Sequence, residues 1–389
     1  MLMSRLAIIL SHPTQYYSPW FRWLRANTGL EFRVFYLWDF GVTDQRDPQF
    51  KTSFKWDVDL LSGYDHEFVP NVARDPGTHH FHGLHTPTLG ARLRAWQPTA
   101  VLLFGYAYRS HLGVILRPPA PLIFRGDSHL IGHQPSWVKR ILLRWLYARF
   151  AAVTTVGQAN RDYFRAFGVP EAKLHFAPHC VDATRFVRDA ATETAAVQLR
   201  TELGLAGKKV VLFAGKLLPA KQPGALLDAF LALAPKDAAL VFVGDGPDRA
   251  ALEARAAQRP DCPVRFLPFA NQSEMPVRYA LADLFVLPSR GLYETWGLAI
   301  NEAMHLGVPC LVSDRVGCQR DLVSEGGTGW VFPASDSAGL QAALGRALTA
   351  LHGDTAALRE RIAARIANYS YAAASRGLQA ALDQADPRR

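Results

Sequence analysis

Short apolar runs, each closed by glycine, proline or a polar cluster, recur along the chain and alternate with stretches whose apolar positions return every three to four residues. The runs at 6–10, 31–36, 100–104, 121–124 and 151–155 have the branched and aromatic content of buried strands. Stretches near 17–25, 88–95, 137–150 and 160–167 have helical spacing instead. A second series places strands at 209–215, 239–244, 264–267, 283–287, 309–313 and 329–332, with helices between them. From 40 to 90 the periodicity weakens and the chain reads mostly as loop. Strand-helix alternation predicts an α/β protein with parallel, doubly wound, Rossmann-like sheets that bind ligands at the carboxyl ends of their strands. The pattern divides into a domain at 1–190, a domain at 205–365 and a closing helical segment at 366–389.

Composition narrows the class. A chain of 389 residues, 49% apolar and 20% charged, is long enough for two globular domains. The apolar run after Arg5 is too short for a signal segment or a membrane span, so a first strand and a cytoplasmic protein are expected. Cys180, Cys262, Cys310 and Cys318 are scattered without C-x-x-C spacing, as reduced structural thiols are. The net charge of +9 suits an anionic ligand or an anionic membrane surface. No zinc-finger spacing, RNP-like aromatic motif or basic tail accompanies it, and no nucleic-acid partner is expected. The basic segment 137–150 carries Trp137 and Trp145. Such a segment is more commonly a helix packed on a sheet; otherwise it lies on an anionic leaflet, peripheral at the inner face of the membrane.

The stretch from Tyr293 to Pro309 sets two carboxylates, Glu294 and Glu302, eight positions apart. Pro288, Ser289 and Gly291 break the strand before it, and Thr295 is a good residue to cap a helix that Gly307 and Pro309 end. Glu294 is then expected at the helix mouth, beside backbone N–H groups that favour a phosphate. Glu302 is expected two turns on, roughly 12 Å along the axis. Carboxylate pairs that act on one glycosidic bond stand roughly 5 to 9.5 Å apart, so this pair better suits two ends of one extended ligand. After the strand at 209–215, Lys216 and Lys221 flank a turn beside a helix start, a clamp of point charges for a diphosphate. Gly244-Asp245-Gly246-Pro247 makes a tight turn after the next strand.

The Glu-x7-Glu pattern, followed by Val316-Gly317, Asp321-Leu322-Val323 and Gly327-Thr328-Gly329-Trp330-Val331-Phe332-Pro333, resembles the large fourth family of retaining, nucleotide-sugar-dependent glycosyltransferases, glycosyl transferases group 1. The resemblance implies a GT-B fold, with two domains facing a cleft and a C-terminal helix crossing back to the first. It assigns the donor ribose hydroxyls to Glu302 and the sugar to Glu294, with the backbone of Trp296, Gly297 and Leu298 approaching the sugar and distal phosphate. Lys221 matches the family directly, whereas Lys216 stands where arginine is usual, which keeps the charge and loses the bidentate fork. The main chain at 266–269 lies where the family recognises the base. The donor is a substrate, and the family needs neither a cofactor nor a catalytic metal.

In the first half, the turn after the first strand holds His12 and Gln15 where the family commonly has glycines. A bulky His-Pro turn cannot bring backbone as close to phosphate, so these two are expected on the acceptor side. The strand at 121–124 runs into Arg125-Gly126-Asp127-Ser128-His129. The resemblance implies a residue near the reacting sugar carbon here: Asp127 first, His129 second, with Arg125 positioning on the acceptor side. The competing reading has Asp127 capping the next helix and Arg125 paired with it. His179-Cys180 stands where the family often has Asn-Gly. His79, His80, His82 and His85 crowd one loop, but no carboxylate or cysteine joins them at recognised spacing, and no metal is expected. The expected reaction moves a sugar from a nucleoside diphosphate to an acceptor hydroxyl with retention, in bacterial polysaccharide or glycolipid assembly, the acceptor being a glycan or lipid-linked glycan. A GT-B sugar-nucleotide epimerase and a non-catalytic sugar-nucleotide-binding protein are the other two readings.

Overall fold

The computed structural model describes residues 5–42, 45–46, 53–54, 56–291 and 294–386; Tyr293, which heads the Glu-x7-Glu stretch, and part of the loop expected at 40–90 lie outside them. Two compact units divide the chain. The first comprises Met1–Leu130, Gln134–His179 and Tyr371–Arg389, and the second Ile131–His133 and Cys180–Ser370.

The first unit runs β1 (Arg5–Leu10), α1 (Tyr17–Asn27), β2 (Glu31–Tyr36), the two-residue strands β3 (Gln45–Arg46) and β4 (Ser53–Phe54), β5 (His66–Phe68), α2 (Leu89–Trp96), β6 (Ala100–Phe104), α3 (Arg109–Leu116), β7 (Leu122–Arg125), α4 (Trp137–Tyr147), β8 (Ala152–Thr155), α5 (Gln158–Ala166) and β9 (Leu174–Phe176). Its seven-stranded sheet has the order β5-β2-β1-β6-β7-β8-β9 and is parallel throughout. In the centre Leu6 pairs with Phe32 on one side and Ala100 on the other, and Ile8 with Val34 and Leu102. Helices cover both faces, so the central strands are apolar without alternation.

The second unit runs α6 (Ala190–Glu202), β10 (Lys209–Ala214), α7 (Pro223–Leu233), β11 (Ala238–Val243), α8 (Arg249–Ala257), β12 (Val264–Leu267), α9 (Met275–Ala280), β13 (Leu284–Leu287), α10 (Leu298–His305), β14 (Cys310–Ser313), α11 (Gln319–Leu322), β15 (Gly329–Phe332), α12 (Ser337–Ala350) and α13 (Ala356–Ile366). Its six parallel strands have the order β12-β11-β10-β13-β14-β15. That is the doubly wound nucleotide-binding order, and its switch point falls between β10 and β13.

The last helix, α14 (Tyr371–Ala385), belongs to the first unit, where it packs on α1, β7, β8 and β9. Gly377 permits this, because a Cβ there would fall 1.9 Å from the Phe176 carbonyl oxygen. Trp20 Nε1–H donates to Ser375 Oγ at 3.0 Å and fixes the helix in register. Among the described residues, no helix is long and apolar enough to cross a membrane.

Candidate functional site

In the second unit the loops that leave β10 and β13 rise side by side at the switch point. The β10 loop carries Lys216 and Lys221, both half-buried, and the turn after β11 braces it. Leu217 N–H donates to the Asp245 carbonyl at 2.9 Å, and Asp248 N–H to the Leu217 carbonyl at 3.1 Å. Gly244 and Gly246 have φ of +134° and +157°, and a Cβ on them would fall 2.1 Å from Gly215 O and 2.3 Å from Leu217 O. Only glycine lets two backbone turns touch in this way. The β13 loop supplies Glu294, whose carboxylate forms an ion pair with Lys221 and accepts a hydrogen bond from Ser289 Oγ at 2.9 Å. A cation and an anion thus stand in contact at the carboxyl edge of the sheet.

The helix after Glu294 starts later than its sequence suggests. Its N-cap is Gly297, at φ +99°, and Thr295 lies outside it. A Cβ at Gly297 would meet Val316 Cγ1 at 2.9 Å and Leu287 Cδ2 at 3.3 Å, so close packing fixes the start. Gly317 N–H donates to the Glu294 carbonyl at 3.1 Å and Cys318 N–H to the Trp296 carbonyl at 2.9 Å, tying the segment to the loop after β14. The expected rise along one continuous helix from Glu294 to Glu302 therefore does not apply. The Trp296 indole turns inward, 3% exposed, and donates to Asn301 Oδ1 at 2.8 Å. Glu302, one turn into α10 and 3% exposed, accepts a hydrogen bond from the Tyr279 hydroxyl at 2.7 Å. Neither Ser289 nor Tyr279 has a sequence signal of its own; each becomes a site residue only through tertiary contact.

In the first unit Arg125 is 2% exposed, and its guanidinium donates to the carbonyls of Ala177 at 2.9 Å and Pro178 at 3.4 Å while lying 5.1 Å from the Trp20 ring centre. It is a buried clamp on the segment after β9, neither an acceptor-side group nor the partner of Asp127. Asp127 Oδ2 instead lies 3.6 Å from His179 Nε2. Nor does Asp127 cap the following helix, since Ser136 does so by accepting from Lys139 N–H at 3.4 Å. Burial lowers the His179 pKa, with the nearby Asp127 opposing the shift. His129 is buried at 6% exposure, on a loop that Asn160 Nδ2 pins by donating to the Ser128 carbonyl at 2.8 Å. His12 is half-buried with its ring against the edges of Trp38 and Phe40, and burial pushes its pKa down to about 4, so it is neutral at pH 7. Gln15 is buried in the same turn. The histidine loop does hold a carboxylate: Asp75 contacts both His79 and His80, at a spacing outside the motifs that sequence rules recognise.

A doubly wound sheet that gathers a lysine-bearing turn and a paired carboxylate at its switch point defines a protein that holds phosphorylated nucleotides. Residues 198–366 match the family described as Glycosyl transferases group 1, and residues 19–185 match Glycosyltransferase Family 4. The chain is 31% identical to the alpha-D-kanosaminyltransferase of Streptomyces kanamyceticus, over 76% of each chain. It is 32% identical to the GDP-mannose-dependent alpha-(1-6)-phosphatidylinositol monomannoside mannosyltransferase of Mycolicibacterium smegmatis, over 55% of this chain and 58% of the relative's length. The crystal structure of Anabaena HepE in complex with UDP superimposes with a TM-score of 0.73 at 20% identity, covering 98% of this chain and 100% of that one, and shows the GT-B fold. The chain belongs to glycosyltransferase family 4.

Proposed function

We propose that this chain moves a sugar from a nucleoside diphosphate, with retention, to a hydroxyl of a glycan or lipid-linked glycan presented at an anionic membrane surface. The observation that carries the donor half is the Lys221–Glu294–Ser289 contact at the switch point of the second sheet. As the glycosidic bond breaks, negative charge grows on the diphosphate. Lys216, Lys221 and the N–H groups opening α10 supply positive potential that is in place before the reaction, where it lowers the barrier most. Glu294, beside Lys221, takes sugar hydroxyls, and Glu302, steadied by Tyr279, takes the ribose. In this reading no metal takes part in the transfer. Asp127, backed by His179, and then His129 serve near the reacting carbon, with neutral His12 and Gln15 toward the acceptor. The names of the relatives and neighbours include both GDP and UDP, so the proposal stops at a nucleoside diphosphate.

The membrane half rests on α4. Leu143, Leu146 and Tyr147 pack into the first unit, while Trp137, Val138, Ile141, Leu142 and Trp145 are exposed, Trp137 by 73%. Residues 137–149 include Lys139, Arg140, Arg144 and Arg149 and no acidic residue. At a helical step of 100° the exposed apolar side chains of α4 fill one continuous arc, with Lys139 beyond one border and Arg140 and Arg144 beyond the other, the build of a helix lying in an anionic lipid interface. Peripheral association with the cytoplasmic leaflet follows.

Thermal shift with UDP-, GDP- and ADP-sugars identifies the donor, and transfer assays on Lys221→Ala and Glu302→Gln test the roles. Both variants should lose donor-dependent stabilisation and transfer. Unchanged transfer in either, epimerisation of the donor without acceptor, or no consumption of any donor would overturn the reading.

A further inference from the structure

The loop that follows β5 gathers ligand atoms that the transfer chemistry does not use. Asp75 Oδ2 lies 3.0 Å from His79 Nε2 and 3.3 Å from His80 Nε2, and the Asp75 carbonyl oxygen lies 3.0 Å from His80 Nε2. All three side-chain donor atoms fall within 4.8 Å of one another. Around a tetrahedral ion with bonds of about 2.0–2.1 Å, neighbouring ligand atoms stand about 3.3 Å apart. Both aspartate-histidine gaps are close to that edge length, so one ion can bridge the aspartate to either ring with small rotations of the side chains. We propose that Asp75, His79 and His80 bind a zinc-class divalent cation, the fourth position going to water or to the Asp75 carbonyl.

The loop is shaped to present these groups. A Cβ on Gly77 would fall 2.6 Å from His79 Nδ1, so the imidazole rests on the bare glycine. A Cβ on Gly83 would fall 2.2 Å from the Gly77 carbonyl oxygen, so the two ends of the loop meet backbone to backbone. Gly77 N–H donates to the Gly83 carbonyl at 3.1 Å and Gly83 N–H to the His80 carbonyl at 3.2 Å. Outside groups pin this closed loop: Asn71 Nδ2 donates to the Gly83 carbonyl at 2.9 Å, and the Tyr108 hydroxyl to the Thr78 carbonyl at 3.1 Å. A loop already closed by its own backbone loses little conformational freedom when an ion binds. Two imidazoles and one carboxylate are a donor set for zinc or its borderline neighbours rather than for magnesium or calcium, which take oxygen.

The side chains of Asp75, His79 and His80 are 70%, 52% and 36% exposed, so an ion reaches them from solvent and can keep a water. The cation would fix the loop between β5 and α2 at the carboxyl edge of the first sheet. This assignment does not depend on the transferase reading, because none of the three residues serves the donor or the reacting carbon there.

Untagged protein, stripped with chelator and checked for fold by circular dichroism, is titrated with Zn2+ by calorimetry and with Co2+ by visible absorption. The expected result is one ion per chain at micromolar affinity, with the strong d–d bands of four-coordinate Co2+. His79→Ala and His80→Ala should each weaken binding by about 100-fold or more, since even the loss of a supporting partner costs about 10–100-fold. His82→Ala, a neighbour outside the cluster, should bind as the parent does. No stoichiometric binding, binding retained by the His79→Ala/His80→Ala double variant, or equal loss in His82→Ala would overturn the site and leave the contacts as surface ion pairs.

Discussion

Replacing Arg125 with methionine tests whether this arginine is a clamp or a ligand group. The guanidinium donates to the Ala177 carbonyl at 2.9 Å and the Pro178 carbonyl at 3.4 Å, and lies 5.1 Å from the Trp20 ring centre at 2% exposure. The shorter hydrogen bond from a charged donor contributes about 1.5–3 kcal/mol, and the longer one no more than about 1 kcal/mol. A desolvated cation over an indole adds about 2 kcal/mol. Methionine recovers part of this, because it fills similar space and removes several kcal/mol of desolvation cost that the buried charge carries. It also leaves two inward carbonyls without their donor, at about 1–3 kcal/mol. The balance is a destabilisation of the first unit by about 2–4 kcal/mol.

At roughly 2–4 °C per kcal/mol for a unit of this size, the Arg125→Met transition should fall by about 5–15 °C in calorimetry. Arg125→Lys keeps the charge but not the planar fork, so it should fall between the two. Transfer measured well below either transition should show an unchanged acceptor KM. Parental melting together with a raised acceptor KM would return Arg125 to the acceptor side and refute the reasoning.

Tyr279→Phe takes the hydroxyl from a buried carboxylate and should weaken nucleotide binding by about 3- to 10-fold in calorimetry, with about 1–3 kcal/mol less stability; parental affinity would detach Tyr279 from the site. Gly244→Ala should destabilise the second unit by about 2–5 kcal/mol in thermal melts, because a left-handed backbone and an overlap with Gly215 O act together, and donor-dependent stabilisation should shrink with it. Burial holds His12 down at about 4 and His111 at about 3, below the ordinary 6.5, so the unfolded chain takes up protons that the folded unit refuses. Their contribution is therefore whole above pH 6.5 and is lost as pH falls toward 4, by up to about 1.4 kcal/mol per pH unit for each histidine. His111→Leu should flatten this slope in urea melts at pH 7.5 and 5, and equal slopes would contradict a buried neutral His111. Trp137→Glu with Trp145→Glu should cut co-sedimentation with phosphatidylglycerol vesicles by about 10-fold or more while sparing transfer to a soluble acceptor; equal sedimentation would remove α4 from the membrane.

The central strands and the charged turns of the second unit were legible because a local rule governs each of them. β1 and β6 in the first sheet and β10 and β13 in the second are buried apolar runs, and hydropathy finds such runs directly. The edge strands β5 and β9, with sequences HEF and LHF, are too short and polar to register. The helix α3 was hidden by Gly113 and by His111, which sits wholly buried where a polar residue signals surface. Thr295 misled for a related reason. Its capping preference is local, at about 1 kcal/mol, whereas the Gly317 and Cys318 hydrogen bonds and the close packing at Gly297 are tertiary and together outweigh it.

The same division explains the site residues. The turns that carry Lys221 and Glu294 were readable because each follows an apolar strand and is marked by glycine and proline in the sequence, and the structure brings the two charges together. Charge at a strand end is nevertheless ambiguous, since Arg125 occupies such a position and is spent on the protein's own carbonyls. What separates the two cases is the supply of partners. Arg125 ends against two main-chain carbonyls of the segment after β9, while Lys221 ends against a carboxylate on a neighbouring loop at the switch point of the sheet. Asp75 belongs to this second kind, because only the closure of its loop at Gly77 and Gly83 brings it onto His79 and His80. Lys221 thus stands against a side chain, whereas Arg125 is spent on main-chain oxygens.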